Sequence, residues 1–205
     1  MLACELEGAR RVYTRFQERH IPDRVFTDTM KCFTRFIREC GKKHGKMFFD
    51  RGWWSYRQIS MNLFRIGALE YQFIEHDGEN AVTLHIPSDA PFDAESVDES
   101  LRQARAFFQT HYPEYVFTRF TCDSWLMSPV LREILPEDSN ILAFQRRFTL
   151  VAVNTESDAC VNWVFGTPAE TATAEFPEAT RLQRAVKRLM LEGRHIGSAC
   201  GEMEA

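Results

Sequence analysis

The chain has 205 residues, of which 44% are hydrophobic and 26% charged, with a formal net charge of −4 and a mean hydropathy of −0.34. That length suits one full α/β domain, alone or with a helical extension, and is enough to bury a proper core. No stretch approaches the roughly 18 consecutive apolar residues that cross a bilayer, and charges at Glu5 and Glu7 stand where a signal peptide needs an apolar run. The expectation is a cytoplasmic protein with no membrane partner.

The charge is uneven: residues 1–51 carry 12 Lys+Arg against 7 Asp+Glu, and residues 52–205 carry 13 against 22. Nucleic-acid binders gather such charge into a dense block. Here it is spread over helix faces, so no nucleic-acid partner is expected. The six cysteines are scattered and contain no C-x-x-C pair, which fits buried free thiols in a reducing compartment and no metal. Seventeen Phe residues imply an aromatic-rich core.

In chain order, Leu2, Leu6, Ala9, Tyr13 and Phe16 share one helical face. Ile21-Pro22-Asp23 breaks that helix. A second helix carries Phe26, Met30, Phe33, Phe36, Ile37 and Cys40, with Gly41 as its expected stop. The two form an N-terminal helical hairpin over 1–51. Arg51–Gln58 reads as a short strand or an aromatic loop. From Leu63 to Ile74 the chain looks extended, and its alternation slips at Gly67, as a β-bulge there would cause. His76-Asp-Gly-Glu-Asn80 is a turn, and 81–86 returns as the partner strand of a hairpin.

A helix spans about 94–111, with Val97, Leu101, Ala104 and Phe108 on one face and Pro113 beyond its end. A strand through 117–125 follows, and Ser128-Pro129 opens a short helix closed near Pro136. Ser139-Asn140 opens another turn, 148–153 is a strand, and Asp158–Phe165 is helical. Thr167–Ala179 forms a surface loop, 180–192 is a helix, and Gly193–Gly201 is a last short strand. Strand, helix, strand, helix over 83–129 is a right-handed crossover unit. Ligands of open α/β sheets bind beyond the carboxyl ends of such strands.

This order, with Arg57-Gln58, Leu63–Glu70, Leu84–Pro87, Ser124–Leu126, Ser139-Asn140 and Trp163–Gly166, resembles the GNAT acyltransferase superfamily. More closely, it is similar to the bacterial GNAT-like C-terminal-domain proteins. The resemblance implies an α/β fold, with a mixed GNAT-like sheet flanked by helices over 52–205 behind the helical hairpin. Many members carry a further N-terminal region ahead of the domain. It also implies acyl-CoA as co-substrate, seated between the 81–86 and 118–125 strands. Backbone groups of Ile86 and Ser88 then bind the pantetheine or thioester. His85 is the general base towards an amine, and Ser124 assists the leaving thiolate. The acceptor, a small molecule or a protein, stays open, as does a homodimer through an exposed sheet edge.

The residues leave a second reading open. GNAT enzymes hold pyrophosphate with a glycine-containing turn before the central helix. The segment Pro87–Glu95 has no glycine, and Asp89, Asp93, Glu95, Asp98 and Glu99 surround the helix start with no Lys or Arg between Glu75 and Glu99. No Tyr follows Tyr115, where many GNAT enzymes place a general acid. A non-catalytic ligand- or protein-binding module that has lost the cofactor site is therefore the alternative. Cys122 would act as a nucleophile only with a depressed pKa. Trp53-Trp54 reads as a stacking platform or as packing between the hairpin and the sheet. The terminal Gly193–Gly201 segment matches no phosphate-loop fingerprint.

Overall fold

A computed structural model describes residues 1–76, 78–167 and 171–205. Two compact units emerge, Met1–Phe120 with Glu204–Ala205, and Thr121–Met203. The first unit opens with helices α1 (Leu2–Glu18), α2 (Asp23–Met30), α3 (Cys32–His44) and α4 (Gly52–Ile59). Strands β1 (Leu63–Ile66), β2 (Leu69–His76) and β3 (Glu79–His85), helix α5 (Ala94–His111) and the start of β4 (Arg119–Ser124) follow.

Three local expectations change. The second predicted helix is two, α2 and α3, meeting at Lys31. Just before the break Thr29 is buried, and its Oγ1 accepts the Arg65 N–H at 3.0 Å, which holds α2 against β1. Nor does the helix stop at Gly41. It continues to His44 and ends at Gly45, whose φ of 68° provides the left-handed cap. Arg51–Gln58, read as strand or loop, lies largely in helix α4. Its aromatics obscure a helical period, because Trp53 points outward while Ser55 and Gln58 are buried.

The slip at Gly67 is a hairpin turn and not a bulge. Ile66 pairs with Leu69 across the two-residue loop Gly67-Ala68, and Gly67 has φ +62°. A Cβ there would stand 3.2 Å from Ser100 Cα, so both the backbone and the close approach of α5 ask for glycine. β2 then pairs antiparallel with β3 from Glu70↔His85 to His76↔Glu79; within that turn Asp77 lies outside the described residues.

The core of the first unit is aromatic, as the Phe count suggests. Phe64 stands 5.7 Å from Phe16, 5.0 Å from Phe107 and 5.5 Å from Tyr112, centroid to centroid. Tyr71 is fully buried, and its hydroxyl lies 2.9 Å from Ser100 Oγ. The Phe16–Phe64 pair is edge-on and the other two are tilted, and such aromatic pairs add about 0.5–1.5 kcal/mol each beyond their area burial.

The second unit continues β4 through a 3₁₀ turn, Trp125–Met127, into α6 (Leu131–Ile134), α7 (Asn140–Gln145), β5 (Thr149–Asn154), α8 (Ala159–Phe165), α9 (Arg181–Leu191) and β6 (Ser198–Glu204). Within it the strand order is β4-β6-β5, with β5 and β6 antiparallel. Ser139, expected at a turn, caps α7 by accepting the Ile141 N–H at 3.3 Å. Of the predicted Thr167–Ala179 loop, residues 168–170 lie outside the described residues and Thr173–Glu175 forms a 3₁₀ turn. Leu131, Leu142, Cys160, Phe165, Phe176, Val186, Leu189 and Ile196 form the core, with Phe165 stacked on Phe176 at 4.2 Å. The glycine-rich end is consumed by packing: a Cβ at Gly201 would meet Met127 Cε at 2.7 Å. Among the described residues no helix is long and apolar enough to cross a membrane.

Candidate active site

His85 ends β3 opposite Glu70. Its Nε2 lies 2.8 Å from Gln72 Oε1. An amide oxygen only accepts, so Nε2 carries the proton and Nδ1 keeps its lone pair. The Trp54 ring stands edge-on to the imidazole at 5.0 Å. Burial, and after it the charge of Arg57, pulls the His85 pKa down to about 4. The imidazole is therefore neutral at pH 7. Arg57 lies across the Trp54 ring at 4.2 Å, with its Nη1 donating to Trp53 O at 3.3 Å.

Ile86-Pro87-Ser88 runs beyond the last β2–β3 pair, which ends at His85. The Ser88 hydroxyl donates to Glu39 Oε1, and this opens a network invisible in the local sequence. Arg51 Nη1 reaches the other oxygen of Glu39 at 2.5 Å. Arg35 Nη2 donates to Glu70 Oε1 at 2.7 Å, with both side chains buried, and its other nitrogens lie 3.6 Å from Glu39 and 3.6 Å from Asp89. Arg65 Nη1 donates to Asp89 Oδ1 at 3.0 Å. Burial opposes the charge on Arg35, but Glu70, Asp89 and Glu39 outweigh it and its pKa is raised. Side chains from α3, β1, β2 and the segment before α4 thus converge on the loop that follows β3. One signal was available: Arg35 sits between Phe33 and Phe36 on an apolar stripe, and Glu70 between Leu69 and Tyr71.

The start of α5 is already capped. Asp93 Oδ1 accepts the Ser96 N–H at 2.9 Å, and its Oδ2 accepts the Ser96 hydroxyl at 2.7 Å. On the exposed first turns Glu95, Asp98, Glu99 and Arg102 line a shallow depression, and Arg102 is bound to Glu99. This helix end does not fit a pyrophosphate, because the group that would bind there already has an anionic substitute. Tyr115 is also committed: its hydroxyl lies 2.6 Å from Ile74 O and 2.8 Å from Ala81 O. Its proton is shared between two strand carbonyls.

Ser124 belongs to the second unit. It ends β4 in extended backbone, and its Oγ accepts the Leu126 N–H at 3.1 Å, an interaction that leaves the hydroxyl proton available. Cys122, two residues earlier, is fully buried, and burial pushes its thiol far above the usual range. It is a packing residue and no nucleophile. Trp54 packs in the core cluster of α1 and α3, whereas Trp53 stays 66% exposed, so the tandem pair divides its roles.

Residues 63–203 match the family described as GNAT-like C-terminal domain. The chain belongs to that family. Residues 1–61 match a second family, described as N-acyltransferase N-terminal domain. No curated protein matches the sequence. Among solved structures, an acyltransferase in complex with decanoyl-CoA and teicoplanin is similar over 98% of this chain and 64% of its own, with a TM-score of 0.93 and 30% identity. An acyltransferase in complex with CoA and 10C-teicoplanin gives 0.91 and 29%, over 98% and 64%. A complex with decanoyl-CoA gives 0.88 and 31%, over 98% and 63%. The GNAT-like domain of this chain therefore has the mixed α/β acyltransferase fold, and the chain spans less than two thirds of the length of these structures.

Proposed function

We propose that the protein is an acyl-CoA-dependent N-acyltransferase of the GNAT type that acts on a small-molecule amine. The observation that carries this reading is the similarity, over 98% of the chain, to acyltransferases bound to decanoyl-CoA and to CoA. His85 supports it as a neutral base. Its Nδ1 takes the proton as the amine nitrogen attacks the thioester carbon, the C–N bond forms and the C–S bond breaks. Ser124, with its hydroxyl proton available, donates a hydrogen bond to the departing sulfur. Backbone groups of Ile86 and Ser88, beyond the last strand pair, hold the pantetheine or thioester. The diphosphate draws no binding residue from the α5 start. Six free cysteines suit a reducing, cytoplasmic setting.

Calorimetric titration with decanoyl-CoA, acetyl-CoA and free CoA tests this directly. Micromolar binding is expected. His85→Ala is expected to keep that affinity and to lose about 10²–10⁴-fold in turnover, the range of a positioned base. Ser124→Ala is expected to lose about 10²-fold, as for one donor to a developing charge. No heat and no thermal shift at millimolar ligand, with the protein folded, overturns the enzyme reading. The second reading, a binding module without a cofactor site, then takes its place. The Asp93 cap at the α5 start is the observation that favours it.

A further inference from the structure

We propose that Cys40, His44 and Asp50 form a zinc site that clasps the end of α3 to the segment leading into α4. The proposal is independent of acyl transfer. Cys40 and His44 are four residues apart on α3 and so share one face. The helix ends at Gly45, whose N–H donates to Gly41 O at 2.9 Å. The chain then folds back over the helix so closely that a Cβ on Gly41 would lie 3.2 Å from Met47 Cγ. That return brings Asp50 to the face of Cys40 and His44. One ligand atom from each residue, the Cys40 Sγ, a His44 ring nitrogen and an Asp50 carboxylate oxygen, lies within 4.8 Å of the others.

Zinc binds sulfur at about 2.3 Å and nitrogen or oxygen at about 2.0–2.2 Å. Tetrahedral ligands at those lengths stand roughly 3.3–3.8 Å apart, so closure asks for a contraction of about 1 Å. His44 and Asp50 are exposed and can supply it by rotamer changes, whereas Cys40 is fixed by burial. Asp50 has a long contact to Arg51, at 4.0 Å, to give up. The donor set selects the metal. Sulfur excludes calcium and magnesium, and one sulfur, one nitrogen and one oxygen suit zinc with water in the fourth place. Binding releases the Cys40 thiol proton to solvent. The thiolate and the carboxylate then balance the charge of the ion, with the imidazole neutral. Lys42, Lys43, Lys46 and Arg51 follow closely in sequence. Their charges oppose a bare cation, and the two anionic ligands answer that effect.

The test uses the purified chain, freed of metal with a chelator and titrated with Co²⁺ as a coloured probe. A thiolate-to-cobalt charge-transfer band saturating at one equivalent is expected, with displacement by Zn²⁺ and a higher Tm on adding zinc. Cys40→Ser should abolish the band, which separates this thiol from the exposed Cys4. His44→Ala and Asp50→Ala change exposed side chains, so circular dichroism should show them folded, and each should weaken cobalt binding at least tenfold. No band at stoichiometric cobalt overturns the site. So does a band that survives Cys40→Ser, or an affinity unchanged in both His44→Ala and Asp50→Ala.

Discussion

The two units of the molecule differ in whether a charged pair joins their buried neutral polar groups. In the first, α3 and β2 share a buried ion pair, Arg35–Glu70, which extends through Glu39 and Asp89 to the loop after β3. Among the described residues of the second, the buried polar side chains Thr121, Ser128 and Gln145 are neutral. Ser128 donates to Ile196 O and accepts from Val130 N at 3.2 Å. Gln145 donates to Leu126 O at 2.8 Å and Ser128 O at 2.9 Å. The candidate residues follow the same division. Ser88 is held by a charged side chain and His85 by Gln72, whereas Ser124 has only a local backbone contact. Charge inside a protein stabilises little on balance, but removing one partner is expensive. The first unit should therefore respond sharply to single changes and mildly to matched ones.

The largest effect is expected from Glu70→Ala, which leaves the Arg35 guanidinium buried without its nearest partner. The loss should be about 3–5 kcal/mol by denaturant unfolding, and the matched pair Arg35→Met/Glu70→Leu should recover most of it. Equal losses in the single and the double variants would remove the contrast between the units. Next comes Gln145→Ala in the second unit, which strips the part-buried Leu126 carbonyl and the buried Ser128 carbonyl of their donor and should cost about 2–3 kcal/mol. Gly67→Ala should cost about 1–2 kcal/mol, because φ +62° disfavours a Cβ and Ser100 crowds it.

His85 adds a pH dependence to the first unit. Its folded pKa of about 4 lies below the ordinary 6.5, so the unfolded chain binds the proton more readily between those values. The stability it contributes is complete above pH 6.5 and is lost as pH falls towards 4, by about 1–2 kcal/mol for a partly buried ring. His85→Asn should flatten that part of the stability–pH curve in urea titrations, and an unchanged slope would place the charge sensitivity elsewhere. The smallest effect is expected from Asp93→Ala, about 1 kcal/mol from a lost N-cap. If it also strengthens CoA binding, the cap is what keeps phosphate from the α5 start.

Sequence by itself determined the elements whose signals are local. The apolar period and Pro113 place α5 at 94–111, and an apolar period places α9 within 180–192; their caps at Asp93 and Thr180 came with the structure. The β2–β3 hairpin and the extended end of β4 were likewise legible from local signals, whereas His85, Ile86, Ser88 and Ser124 were candidates through the family resemblance. Where two local signals competed, the reading slipped: Gly67 marks a two-residue turn, Gly41 lies inside α3, and the aromatic run after Arg51 folds as α4. Tertiary structure alone decided what surrounds the candidates. Glu39 meets Ser88 across 49 residues, and Arg35 meets Glu70 across 35. Contacts at such separations leave no period in a local window. Their geometry exists only once packing has removed water from both partners and so made each depend on the other.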